Sequence, residues 1–211
     1  MADTDPEVPT MYMYYSTRLV SEIAGILGKT EDQEKYRERS ERIKELFNRY
    51  FIHSDGCIKE KRQAPNVRAL AFDLCKPDMI EKVAARLNEY VMQTDYHLNT
   101  GFLATPYLLN VLADNGYVDT AYRLLEQTTS PSWLYNVLKG ATTILEEWTG
   151  LDSHVGSFNH YSYGAVCDFL FSRVCGIRPL VNDPGYHTFK VCPLPGGSKM
   201  TCGSGSYTFV E

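Results

Sequence analysis

Two carboxylates stand side by side in GATTILEEWTG, residues 140–150, between an aliphatic run and a tryptophan. On any regular element neighbouring side chains point in different directions, so one of Glu146 and Glu147 is expected to face the interior and the other solvent. A carboxylate turned toward an aromatic-lined cleft is suited to general-base or nucleophilic work. Two carboxylates on a short helix are otherwise ordinary surface charge. A second candidate is His160 in GSFNHYSYGA, residues 156–165, flanked by Asn159 and Tyr161. Such a histidine can bond a ligand hydroxyl, orient a carboxylate, or bond backbone at a helix start. In YHLNTGFLATPYLL, residues 96–109, Thr100 suits the N-cap of a helix expected from Gly101, and His97 is left without a local task.

Several chemistries are absent from the pattern. The five histidines are scattered with no H-x-x-x-H pair, so no metal-ligand spacing is present. No Gly-rich phosphate loop and no G-x-S-x-G elbow occurs. A net charge of −5 with no basic run offers nothing to nucleic acid or an anionic membrane. No apolar stretch reaches the length of a membrane span, and the polar start MADTDPEVPT has no features of a signal peptide. Compartment stays open. The 15 tyrosines, 9 phenylalanines and 2 tryptophans suit a wet cleft for a polar ligand with flat apolar faces, and equally suit an interface. None of the six cysteines forms C-x-x-C. Cys75, Cys167 and Cys175 read as small core residues, and Cys192 and Cys202 can pair or stay reduced.

The elements that must position these residues are mostly helices. Residues 11–28 put Tyr15, Leu19, Ile23, Ile26 and Leu27 on one face, and Thr30-Glu-Asp-Gln opens a second helix in capping-box fashion. Its stripe is Tyr36, Ile43, Leu46, Phe47 and Tyr50. Further helical stretches are expected at 64–75, from Pro77 to about Met92, at 101–114 and 118–127 around the turn Asp114-Asn-Gly-Tyr117, at 132–139, and at 160–175. Hairpins thus recur roughly every 35–45 residues, the period of a solenoid or an α/α toroid. Irregular connections rich in Tyr, His, Asn, Ser and Trp favour the toroid, which builds sites from such loops. Beyond residue 176 the composition turns to Pro, Gly and alternating runs, HTFKVCP and SYTFVE, which read as β-strands. The expected domains are therefore residues 1–176 and 177–211.

Taken together, the words YHLNTGFLATPYLL, DNGY-DTAYRLL, PSW, GATTILEEW, SFNHYSYGAV and PGYHTFKVCPLPGG resemble the α-L-rhamnosidase family of glycoside hydrolases, in the family's order and over most of residues 12–197. The resemblance implies the C-terminal part of an (α/α)6 barrel followed by the start of a β-sandwich. It implies an inverting glycosidase acting on terminal α-L-rhamnose, with no cofactor, in which an acid and a base carboxylate stand roughly 6.5–9.5 Å apart around a water. Glu146 falls at the general-base position of the TT-x-x-E-x-W word, and Glu147 where the family has Arg. His160 falls at a sugar-contacting position, and Trp133, Trp148 and His97 at positions near the cleft. The family's acidic, Trp-containing motif that carries the general acid has no counterpart in these residues. Leu145 replaces a Trp, and the loop 149–159 is short. Two expectations follow: a fragment of a glycosidase that holds the base but not the acid, or a non-catalytic carbohydrate-binding remnant. A cut barrel would also expose an apolar face prone to self-association.

Overall fold

The computed structural model describes residues 6–59, 61–152, 154, 156–181 and 183–208. The chain divides into two compact units, Met1–Tyr90 and Val91–Glu211.

In the first unit α1 (Glu7–Ile26) packs on α2 (Thr30–Tyr50). The seam on α1 is Met11, Tyr14, Thr17, Ser21 and Ala24. Its small residues let α2 approach closely, and the Ser21 hydroxyl donates to the Gln33 carbonyl at 2.7 Å. The expected stripe is thereby corrected: Ile23, Ile26 and Leu27 are 53, 86 and 66% exposed. Helix α1 carries two apolar stripes, and periodicity cannot say which one a neighbour will cover. A second correction concerns Thr30, the first residue of α2, which follows Lys29 without any side-chain cap. Helix α3 (Gln63–Ala71) meets α1 through a buried ion pair, Arg68 Nη2 to Glu7 Oε1 at 2.8 Å. Buried asparagines close the unit. Asn66 donates to the carbonyls of Gly56 and Val83, while Asn48 donates to the Leu74 carbonyl and accepts from the Lys76 N–H.

Helix α4 (Pro77–Gln93) buries Val83, Ala84, Leu87 and Val91 as its period predicts, with Ile80 left 40% exposed. In the second unit α5 (Thr105–Asp114) and α6 (Val118–Leu125) form a hairpin with Leu108, Leu112, Ala121 and Leu124 fully buried. Gly116 takes φ +89°, so that its N–H reaches the Ala113 carbonyl and the next N–H, of Tyr117, reaches that of Leu112. This left-handed cap turns the chain in two residues. Helix α5 starts later than expected because Pro106 suits only its first turn. Thr100 instead shares a hydrogen bond with the Thr105 hydroxyl at 2.8 Å. Then follow α7 (Trp133–Leu138), a 3-10 turn (Gly150–Asp152), α8 (Tyr161–Gly164), α9 (Val166–Phe169) and a π-turn (Leu170–Val174). Strands β1 (Ile177–Pro179) and β2 (Phe189–Val191) pair antiparallel with Ile177 opposite Val191. They border an apolar groove of about 620 Å³ with Tyr186 and Tyr207, and no candidate catalytic residue lines it. Strand structure does not reach Ser206–Thr208, and the rest of SYTFVE lies outside the described residues. Cys75 is buried as expected, but Cys167 is exposed and Cys175 only half-buried; all six cysteines are free.

The segment after β2 is seated on α6 by a single carboxylate. Glu126, 6% exposed, accepts the backbone N–H groups of Ser198, Lys199 and Met200 at 3.0, 2.9 and 2.9 Å. The Tyr122 hydroxyl donates to the Leu194 carbonyl at 2.6 Å, and Lys199 Nζ to the Glu126 carbonyl at 3.0 Å. Gly197, at φ +80°, makes room, for a β-carbon there would collide with Glu126 Oε1. Burial acts to raise the Glu126 pKa, but the N–H groups outweigh it and hold the carboxyl below the usual range. The folded state therefore binds its proton less readily than the unfolded chain. This stabilisation is complete above the ordinary Glu pKa and is lost as pH falls through the depressed folded value. Glu126→Gln is expected to cost about 1–3 kcal/mol at pH 7, and to flatten that acid limb of stability. Urea melts across pH 3–7 check it, and an unchanged acid limb would refute the assignment.

Candidate active site

Three short stretches of the second unit are held together by polar tethers. Ser132 caps α7, its hydroxyl accepting the Tyr135 N–H at 3.2 Å. Asn136, buried on α7, donates to the Glu147 carbonyl at 3.0 Å, and the Ser130 hydroxyl donates to the Trp148 carbonyl at 2.9 Å. The Trp148 indole N–H points to the Thr100 carbonyl at 3.4 Å, and the Leu98 N–H meets the Pro131 carbonyl at 3.2 Å. The GATTILEEW word is thus fastened to both α7 and the 98–100 segment. It is also paired along its backbone: the Glu146 N–H donates to Ser157 O at 3.0 Å and the His160 N–H to Ile144 O at 2.8 Å. The Thr143 hydroxyl adds a bond to the Phe158 carbonyl. Glu146 and His160, fourteen positions apart in sequence, therefore sit on two paired lengths of backbone.

Rings line this junction in a series from core to solvent. Trp133, 4% exposed, donates its indole N–H to the Tyr163 carbonyl at 3.0 Å. Trp148 meets Trp133 edge-on, centroids 5.6 Å apart, and stacks on Tyr163 at 4.1 Å and 22°. The His160 ring lies 4.9 Å from Tyr163, and stacks on Tyr161 at 5.4 Å. Phe102 stands edge-on to His160 at 6.4 Å. Phe102 and Tyr161 are 52% and 82% exposed, so the series opens outward. Flat aromatic faces of this kind pack against the apolar C–H faces of polar ligands.

The two carboxylates part company as adjacent side chains must: Glu146 is half-buried and Glu147 exposed. Leu145, which precedes them, is 1% exposed and belongs to the core rather than to an open cleft. The Tyr163 phenol is pushed up in pKa, first by burial and then by the negative charges of Glu147 and Glu146. Among the described residues His160 Nδ1 is enclosed without a hydrogen-bond partner. His97 is placed differently. Its Nδ1 donates to the Thr94 carbonyl at 2.9 Å and its Nε2 meets the Thr129 hydroxyl at 2.7 Å. It braces the 94–97 turn against Thr129, while Glu146, Trp133, Trp148 and His160 share the paired junction. Tyr163, Phe102 and Gly156 belong to the junction too and were not singled out from sequence. The alternation of Tyr161 and Tyr163 after His160 was the available signal for the first, whereas Phe102 and Gly156 carried none. No cluster of metal-ligating side chains occurs among the described residues. A half-buried carboxylate, on a length of backbone paired with that of a ring-stacked imidazole, can take a proton from a water.

Residues 2–174 match the family described as the bacterial alpha-L-rhamnosidase 6 hairpin glycosidase domain. An alpha-L-rhamnosidase of Streptomyces avermitilis is 39% identical over 207 residues, covering 93% of this chain and 20% of that protein. One of Formosa agariphila is 36% identical, covering 89% of this chain and 21% of its own. The chain thus spans about a fifth of the length of the relatives it matches. The structure of the Streptomyces avermitilis enzyme complexed with L-rhamnose superposes with a TM-score of 0.81 at 38% identity, over 89% of this chain and 19% of that one. The native Aspergillus terreus enzyme superposes with a TM-score of 0.81 at 31% identity, over 88% and 22%. With the family matched over most of its length, its helical hairpins are those of a six-hairpin glycosidase domain, and the chain belongs to the bacterial α-L-rhamnosidase six-hairpin family.

Proposed function

We propose that this chain forms part of an inverting glycoside hydrolase that removes terminal α-L-rhamnose from glycosides or polysaccharides, with Glu146 as its general base. The observation that carries the reading is the paired junction itself. It pairs the backbone that carries a half-buried carboxylate with the backbone that carries an imidazole, whose Nδ1 is unpartnered and whose ring packs in a series of aromatic rings. In this reading Glu146 draws a proton from the attacking water as that water bonds to the anomeric carbon. His160 hydrogen-bonds a sugar hydroxyl, and Trp148 with Trp133 supports the apolar sugar face. His97 shapes the rim through the 94–97 turn. The proton for the leaving oxygen comes from a general acid outside these 211 residues. We read residues 1–176 as the barrel portion and 177–211 as the beginning of the following β-module.

The test is hydrolysis of p-nitrophenyl α-L-rhamnoside by the 211-residue chain and by the full product of its gene, with L-rhamnose binding followed in parallel. In whichever product is active, Glu146→Gln should lower kcat about 10²–10⁴-fold with KM little changed. His160→Ala should weaken L-rhamnose binding by roughly threefold to tenfold, the loss of one hydrogen bond. Binding of L-rhamnose without hydrolysis by any product of the gene would favour the carbohydrate-binding remnant, and Glu146 would revert to an ordinary carboxylate.

The exposed stripe of α1, with Ile23, Ile26 and Leu27, is read as a self-association face in the isolated chain. Sedimentation velocity should show concentration-dependent dimers that Ile26→Asp abolishes. A monomer at all concentrations would refute this.

A further inference from the structure

We infer that Gly156 is a positioning residue for the Glu146 carboxylate, whose resting place is the space that a side chain at 156 would fill. The inference rests on the reading of Glu146 as the base. A β-carbon on Gly156 would lie 2.6 Å from Glu146 Oε2, 3.2 Å from its Cδ and 3.7 Å from Oε1. The first distance lies well inside van der Waals contact, which for carbon begins near ~3.5 Å. One of the two groups would have to move.

The backbones cannot readily separate to relieve it. The Glu146 N–H is bonded to the carbonyl of Ser157, the residue next to Gly156, at 3.0 Å. The His160 N–H closes the same pairing on Ile144 at 2.8 Å, and Leu145 beside Glu146 is anchored in the core at 1% exposure. Relief must therefore come from the side-chain torsions of Glu146, which swing the carboxylate out of its present place. Misplacing a reacting group by about an ångström costs on the order of a hundredfold in rate. Gly156 thus acts through Glu146, and sets where the base stands from its place next to the backbone that pairs with it.

The test compares wild type, Gly156→Ala, Glu146→Asp and the double variant, with Gly164→Ala as control because a β-carbon there meets nothing within 4 Å. One readout is the carboxyl carbon resonance of Glu146 in the 211-residue chain, assigned by its loss in Glu146→Gln. The other is kcat and KM of the full gene product on p-nitrophenyl α-L-rhamnoside. Gly156→Ala should move the resonance and lower kcat about tenfold to a hundredfold, with KM changed by less than about twofold. Aspartate is one methylene shorter and draws back from the new methyl. The double variant should therefore lose less than the product of the two single losses. Wild-type behaviour of Gly156→Ala, or losses that simply multiply, would overturn the inference. Should Glu146→Gln leave kcat unchanged, the base assignment fails. An unmoved resonance in Gly156→Ala then removes the steric role of Gly156 as well, while a moved one retains that role for a carboxylate with another task.

Discussion

Two backbone hydrogen bonds, Glu146 N–H to Ser157 O and His160 N–H to Ile144 O, hold the arrangement on which the candidate site depends. Without them the EEW and NHY segments would be independent loops. Each would then lose conformational entropy separately to reach a productive pose. With them, the carboxylate and the imidazole inherit one frame. The ring series then follows, since His160 and Tyr163 lie one helical turn apart and Tyr163 receives Trp148 on its face.

The frame is rigid because its irregular segments do not leave their backbone groups unsatisfied. The buried Asn136 amide and Ser132 hydroxyl and the half-buried Ser130 hydroxyl meet loop carbonyls and N–H groups beside the site. Asn48 and Asn66 do the same in the first unit, and Glu126 does so for the segment after β2. Each such group would be costly if left unpaired in the interior, so each removes an alternative loop conformation. Loops of this type can carry function on a helical scaffold without being mobile in proportion to their irregularity.

Much of this was legible in the residues. The hairpin turn at Asn115-Gly116 and the buried faces of α4, α5 and α6 follow from periodicity and from the need for a left-handed residue at the turn. The family words nominated Glu146 and His160, and the run HTFKVCP, expected to be a strand, holds β2, whereas its partner β1 at Ile177–Pro179 lay outside the expected runs. The errors share one origin. Ile23 and Ile26 were assigned to the core of α1, Cys167 to a buried face, and Thr100 to a helix cap. In each case a local pattern was satisfied equally well by two outcomes, and at Thr100 the choice was itself local, since Pro106 delays the start of α5.

The sequence by itself determined the helical hairpins, the family, and which residue types could do chemistry, because these depend on local period, turn residues and the order of words along the chain. Tertiary structure alone decided that Trp148 stacks on Tyr163, that His97 spends its nitrogens on Thr94 and Thr129, and that the Glu146 carboxylate occupies the space left by Gly156. Those outcomes depend on backbones that pair across intervals of 11 to 33 residues, Glu146 with Ser157, His160 with Ile144 and Leu98 with Pro131. Such pairing is governed by packing and by the satisfaction of buried polar groups, and neither has a period in the sequence.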